Sequence, residues 1–323
     1  MKYLYVLVHS ETGFYLEQTY VSMLSLKHVM PNASISLIVD DATDKITNTF
    51  FCSIKTLITE YKVISLPTEM SATAKSRYIK TSMRQYIDGN FLYVDSDTIW
   101  ASPINEEDFT FDIMGVLDGN CLLKDNPVLD YIQSVRKKTG FNSESNYYIN
   151  GGVLYSKDSE FSHNFFKKWH NYWEKSSKSG CYVDQPSLNK LIEEEFDPQK
   201  SLLPGTYNAQ ITFSWDYFFN AKIIHYFTYS IENGKDFEEP YLLKNKEFWQ
   251  KVSQTGITAE IQEIIKNPLK AFQKGILIIG EKEAKLTRTR LYNFIKDLYI
   301  RKVRDEKSRF DLLEKMLSLI TKR

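Results

Sequence analysis

Residues 3–8 and 35–39 are short runs dense in Val, Ile, Leu and Tyr, and between them apolar residues recur at roughly helical spacing over 16–30, through Val21, Leu24, Leu26 and Val29. That pattern predicts a β-α-β unit. It continues with a helix over 43–59, a strand over 62–66, a helix over 73–87 and a strand over 91–94. Further along come a strand over 152–156, an aromatic-rich helix over 159–175, a helix opening at Asp184-Gln185-Pro186 and a strand over 222–225. Strands alternating with helices call for an α/β fold with a mostly parallel sheet covered on both faces, in which ligands gather outside the carboxyl ends of the strands. The residues to watch are therefore His9-Ser10, Asp40-Asp41 and Asp95-Ser96-Asp97.

The chain has 323 residues, enough for one large α/β unit with an appendage. Its 42% hydrophobic and 25% charged residues exclude a disordered or collagenous chain. With 41 Lys and Arg against 41 Asp and Glu, no global binding of a polyanion is expected, and no nucleic-acid partner. The balance hides an asymmetry: residues 282–323 hold 13 Lys and Arg against 6 Asp and Glu, a surplus of +7. There Leu291, Phe294, Ile295 and Leu298 share a helical face, followed by Arg301, Arg304, Lys307 and Arg309. A helix of that kind suits an anionic membrane surface, or packs its apolar face on the rest of the protein. Three widely spaced cysteines, Cys52, Cys121 and Cys181, point to a reducing compartment. The start, MKYLYVLVHS, reads as a strand rather than a signal peptide, and no window is apolar enough for a membrane span. The expected location is cytoplasmic, free or held on the cytoplasmic face of the membrane.

The strongest local chemistry is in LYVDSDTIW, residues 92–100. Two carboxylates one residue apart at the end of a buried strand are costly to hold together unless a cation neutralises them. A haloacid dehalogenase-like phosphatase would use such a pair, with Asp95 as nucleophile and Asp97 as acid/base. Order along the chain argues against it, because there the motif lies on the first strand and a later acidic pair completes the site, whereas here three strands precede it and Asp40-Asp41 come before.

The chain as a whole resembles glycosyltransferase family 8. The blocks that carry the resemblance are Tyr15 ahead of a helix that contains Ser25 and ends at Pro31, Ser76-Arg77-Tyr78, YYINGGVLY at 147–155, Asp184-Gln185 with Leu188-Asn189, LLPGTYNAQ at 202–210, and Ile224-His225-Tyr226. They run in family order over about residues 3–230. The resemblance implies a GT-A, Rossmann-like catalytic domain over 1–235, and the change of texture beyond about residue 236 marks a basic helical extension over 236–323. It implies a metal-dependent, retaining transfer of a hexose from a UDP-sugar to a saccharide or glycolipid acceptor. Asp95, Asp97 and His225 would hold the metal, Mn²⁺ by donor set, with Mg²⁺ the weaker candidate. His9, Tyr15, Asp40 and Ser96 would lie along the nucleotide, and Arg77 would reach the diphosphate or the donor sugar. Asn150, Asp184 and Gln185 would face the donor sugar and the reacting carbon. The chain departs from the family where Pro186 follows Asp-Gln and in the loop after His225, where Gly234-Lys235 would supply the phosphate-binding lysine. A catalytically inactive relative acting as a binding module is the remaining alternative.

Overall fold

The computed structural model describes residues 1–226 apart from 12, 50, 51, 127 and 212–214, and then 251–268 without 253, 285–286, 289–305 and 309–321. The expected boundary at 235 and the expected Gly234-Lys235 contact lie outside the described residues.

Strands β1 (Lys2–Leu7), β2 (Ser34–Asp40), β3 (Glu60–Ile64) and β4 (Phe91–Val94) alternate with helices α1 (Tyr15–Val29), α2 (Asp41–Thr49) and α3 (Ala72–Ser82). After β5 (Thr98–Trp100) and β6 (Ile113–Leu117) come α4 (Leu129–Thr139), β7 (Ile149–Ser156), α5 (Glu160–Ser177), α6 (Gln185–Glu195), β8 (Ala209–Gln210) and β9 (Ile223–His225). The main sheet has the order β3-β2-β1-β4-β7-β6, and β5-β9-β8 form a second, smaller sheet. In the main sheet β1, β2, β3 and β4 are parallel, and β7 runs against both its neighbours. The expected α/β architecture with a mostly parallel sheet is borne out.

Continuous apolar runs suit these strands because both faces are covered. Along β1, Tyr3, Tyr5 and Leu7 enter the core under α1, while Leu4 and Val6 enter the core under α3, α5 and α6. Helix α1 buries hydroxyls as well as apolar groups, because it is wedged between the two sheets. Ser22 meets both Tyr5 (2.9 Å) and Thr98 (2.6 Å), and Ser25 accepts the Trp100 backbone N–H (3.0 Å). Trp100 in turn donates its indole N–H to Tyr5 (3.0 Å) and packs edge-to-face on Tyr3. This chain of hydroxyls explains the loose apolar spacing of α1, and it ties the small sheet to the large one directly behind Asp95 and Asp97.

Several predicted boundaries are corrected. The helix expected over 43–59 is α2 followed by a 3-10 segment, Cys52–Leu57, and α2 begins two residues earlier because Asp40 caps it by accepting the Thr43 N–H (3.0 Å). The helix expected over 73–87 leaves α geometry at Ser82 for a 3-10 turn, Met83–Gln85. Strand β3 begins at Glu60 rather than residue 62, since Lys2 (2.8 Å) and Ser36 (3.1 Å) hold the Glu60 carboxylate at the sheet edge. Strand β7 begins at Ile149 rather than 152, because β6 pairs with it beyond a register shift between Gly115 and Val116.

The 3-10 turn positions Arg84, which is 1% exposed under the sheet. Its guanidinium donates to the backbone carbonyls of Ile87 (3.2 Å), Gly89 (2.7 Å), Ser156 (2.8 Å) and Lys157 (3.2 Å), and to the Ser156 hydroxyl. Burial pulls its pKa down to about 10, yet no donor is wasted. Arg84→Met would leave several buried carbonyls without partners. We expect it to cost about 3–5 kcal/mol in urea unfolding, and a loss under 1 kcal/mol would refute this account of the clasp.

Candidate active site

Asp40 ends β2, and His9 and Asp95 follow the adjacent parallel strands β1 and β4, so the three share the carboxyl edge where an open α/β sheet offers its crevice. Asp95 is anchored by donating its backbone N–H to the Gly152 carbonyl (2.7 Å). Three residues on, β5 pairs antiparallel with β9 with Thr98 opposite His225, and the Tyr226 N–H bonds to the Asp97 carbonyl (2.8 Å). Backbone register alone therefore brings His225 to the acidic pair. Its Nε2 lies 3.2 Å from Asp97 Oδ1 and 3.9 Å from Asp95 Oδ2, and one donor atom from each of the three residues falls within 4.8 Å of the others.

The floor of this cluster is Gly152. A Cβ there would stand 2.3 Å from His225 Cε1 and 2.8 Å from Asp95 Oδ2. The cluster thus fills a cradle that only glycine leaves open. Two carboxylates and one imidazole, with the imidazole 1% exposed and the carboxylates a quarter exposed, fit a divalent cation that keeps positions open towards a ligand.

Beside the cluster, Asp184 precedes α6, with Pro186 in the first turn. Its side chain makes no cap bond to that helix. It turns instead to α3, where Arg77 Nε lies 3.1 Å from Oδ1 and Lys80 Nζ 3.4 Å from Oδ2. Lys80, 3% exposed, also reaches Asp95 Oδ1 (3.2 Å). Arg77 and Lys80 are one helical turn apart and so present both cations from the same face of α3. The Asp184 carboxylate holds the Arg77 guanidinium well above its ordinary range, so it stays charged. Tyr93 donates its hydroxyl to Asp95 Oδ1, and burial, reinforced by that carboxylate, pushes the phenol well up. Asp184 Oδ2 is buried and makes no hydrogen bond, its neighbour being the Lys80 ammonium.

Of the sequence-predicted residues, Asp95, Asp97, His225, Arg77 and Asp184 come together, and Asn150 joins them through Gly152, whose N–H it accepts (2.9 Å). The Gln185 side-chain oxygen accepts the Gly151 N–H (3.1 Å), which ties the start of α6 to β7. Ser96 accepts the Thr19 hydroxyl (2.8 Å). Tyr15 opens α1 half-exposed, its ring against Gly13. His9 gives its backbone N–H to Thr43 (2.7 Å). Asp40 is buried with one oxygen capping α2 and the other 3.2 Å from Lys75, so it enters as a structural anchor at the carboxyl edge of the sheet. Sequence reasoning missed Lys80, Tyr93, Asn208 and Asp118. Lys80 lies three residues after Arg77, Asp118 directly follows a strand, and Asn208 lies inside the block 202–210, so spacing, strand-end position and motif were the available signals.

No protein-family model and no curated protein matches the chain. Among solved structures, it resembles the galactosyltransferase LgtC in complex with donor and acceptor sugar analogues, at 16% identity over 81% of this chain and 99% of that one, with a TM-score of 0.49. It also resembles an active-site mutant of LgtC, at 15% identity over 81% of this chain and 99% of that one, TM-score 0.47. A third is mouse xyloside xylosyltransferase 1 in its apo form, at 14% identity over 69% of this chain and 96% of that one, TM-score 0.43. These likenesses concern the course of the backbone; the chemistry is read from the side chains.

Proposed function

We propose that the protein is a metal-dependent glycosyltransferase that resembles family 8, moving a hexose from a UDP-sugar to a saccharide or glycolipid acceptor with retention of the donor's α configuration. The observation that carries this reading is the Asp95-Asp97-His225 cluster at the carboxyl edge of the sheet, flanked by Arg77, Lys80 and the ion-paired Asp184. Breaking a sugar–diphosphate bond leaves negative charge on the departing phosphate. A divalent cation, Mn²⁺ on this donor set, would meet that charge and contribute several kcal/mol.

The chain's own groups divide the remaining work. Arg77 offers a planar guanidinium to diphosphate oxygens. Asp184, its charge balanced by Arg77 and Lys80, is held still beside the cluster, towards the donor sugar. Asn150 and Gln185 hold the backbone at Gly151-Gly152, so the sugar lies against a wall with no side chains. His9, Tyr15, Asp40 and Ser96 border the nucleotide end. The test is thermal melting with nucleoside diphosphates, with and without Mn²⁺, followed by a donor screen that reads UDP release. UDP should raise the melting temperature only when Mn²⁺ is present. Absence of stabilisation by any nucleotide, or turnover of simple phosphate esters, would overturn the assignment.

The acceptor end of the proposal rests on the tail. Among the described residues no helix is long and apolar enough to cross a membrane. The helices Arg290–Asp305 and Phe310–Thr321 nevertheless expose Leu291, Phe294, Leu312, Met316 and Leu319 within the basic segment. Exposed apolar residues beside basic ones are what docking on an anionic lipid surface requires. Each Lys or Arg at such a surface contributes about 1 kcal/mol. Full-length protein should co-sediment with anionic vesicles at low salt and be released at high salt, and a truncation after residue 280 should not co-sediment. Equal, negligible binding of both would remove the membrane from the proposal.

A further inference from the structure

Behind the metal cluster runs a line of four polar side chains, all buried: His225, Asn208, Asn150 and Asp118. His225 Nδ1 lies 2.9 Å from Asn208 Oδ1. Asn208 Nδ2 donates to Asn150 Oδ1 (3.1 Å), and Asn150 Nδ2 donates to Asp118 Oδ1 (2.9 Å). The orientation of each amide is forced by what it meets. The Gly152 backbone N–H (2.9 Å) can only donate, so the Asn150 atom facing it is the oxygen. The Asp118 carboxylate, which also accepts from Asn126 (3.1 Å), requires the Asn150 NH₂ on the opposite side. Asn208 must then offer its own NH₂ to the Asn150 oxygen, which leaves its oxygen towards His225. An oxygen there demands a proton on Nδ1.

We propose that Asn208 is a positioning residue that fixes the proton of His225 on Nδ1, with Asp118 and the Gly152 N–H setting the direction of the chain through Asn150, so that Nε2 presents its lone pair to the cation. This rests on the reading of Asp95, Asp97 and His225 as a metal site. Metal-ligating histidines depend on such partners, and losing one typically costs 10–100-fold in metal affinity. The support for Asn208 is itself fixed. Its backbone carbonyl accepts from Asn120 Nδ2 (3.0 Å), and Gln210 accepts the Gly119 N–H (2.7 Å) and donates to the Leu117 carbonyl (2.9 Å), clamping the Asp118 loop onto β8.

The experiment combines ¹⁵N-histidine NMR of the full chain at about pH 8, metal-free and with Mg²⁺, with Mn²⁺ titration of Asn208→Asp and Asn208→Leu in the absence of any substrate. His225 Nδ1 should carry a proton in both wild-type spectra. Asn208→Leu should bind Mn²⁺ about 10–100-fold more weakly than wild type, and Asn208→Asp, which keeps an acceptor at Nδ1, should bind it at least about tenfold more tightly than the Leu variant. An unprotonated Nδ1 in the wild type, a Leu variant within about threefold of wild type, or equally weak Asp and Leu variants would overturn the proposal. Should either variant fail to fold, the wild-type spectra decide alone. Wild-type protein that binds no Mn²⁺ while Nδ1 carries its proton would sink the metal reading and leave the hydrogen-bonded chain standing.

Discussion

Asp97→Asn is expected to lower the rate of sugar transfer by about a thousandfold or more at saturating donor, with the fold unchanged. The side chain is a quarter exposed, so a neutral isostere costs little in packing. Its loss is electrostatic. One of the two carboxylates that would face the proposed cation disappears, leaving Asp95 as the carboxylate beside His225 Nε2. A cation that contributes several kcal/mol to leaving-group departure corresponds to about three powers of ten in rate. The backbone bond from the Tyr226 N–H to the Asp97 carbonyl persists in the variant, so circular dichroism and the melting curve should stay close to wild type. Chelation of the wild type should reproduce the defect and added Mn²⁺ should reverse it. Full activity in excess EDTA, or an active Asp97→Asn enzyme, would end the metal assignment.

The parts of this site that could be read from the sequence are those announced by strong local pattern. Phe91–Val94 is an unbroken apolar run and its end marks Asp95, so both strand and site were visible at once. The strands β5 and β8, at three and two residues, are too short to leave a periodicity, and although β9 falls within the strand expected over 222–225, its pairing with β5, which brings His225 to Asp97, leaves no mark in the sequence. Lys80 was hidden for another reason. A lysine in a helix is expected to face water, and this one is buried only because Asp95 and Asp184 converge on it from two other segments. Asp184 carried a misleading local cue, since an Asp before Pro in a helix start reads as a cap, and tertiary ion pairs take its side chain away from that task. Helix boundaries slipped for similar reasons, as Asp40 starts α2 by a side-chain bond that no apolar period encodes.

Gly152→Ala should remove the cation site without touching any ligand. Glycine here has no left-handed backbone angle to serve, since its φ is not positive even though it lies at the register shift between β7 and β6. What it supplies is space. The new methyl would lie 2.3 Å from His225 Cε1, 2.8 Å from Asp95 Oδ2 and 2.9 Å from Asn150 Oδ1, and none of these can retreat cheaply. His225 is held at Nδ1 by Asn208, Asn150 by Asp118, and the Gly152 carbonyl is bonded to the Asp95 N–H. Overpacking of this kind costs about 1–3 kcal/mol, enough to lower the melting temperature while leaving the protein folded. The larger effect is on the donor atoms, which must move apart, and Mn²⁺ affinity should fall by about a hundredfold, the range seen when ligand orientation is lost. Gly151→Ala is the matched control. Its Cβ would meet Asp184 Oδ2 and Lys80 Nζ at 3.6 Å and Leu188 Cδ2 at 3.8 Å, which is ordinary contact. That variant should bind Mn²⁺ as the wild type does and show its defect, if any, as a raised KM for the donor, since the methyl would stand where the sugar is proposed to lie. Isothermal titration of both variants with Mn²⁺ separates the two glycines, and equal affinities would mean that the cradle at Gly152 is not a cation site.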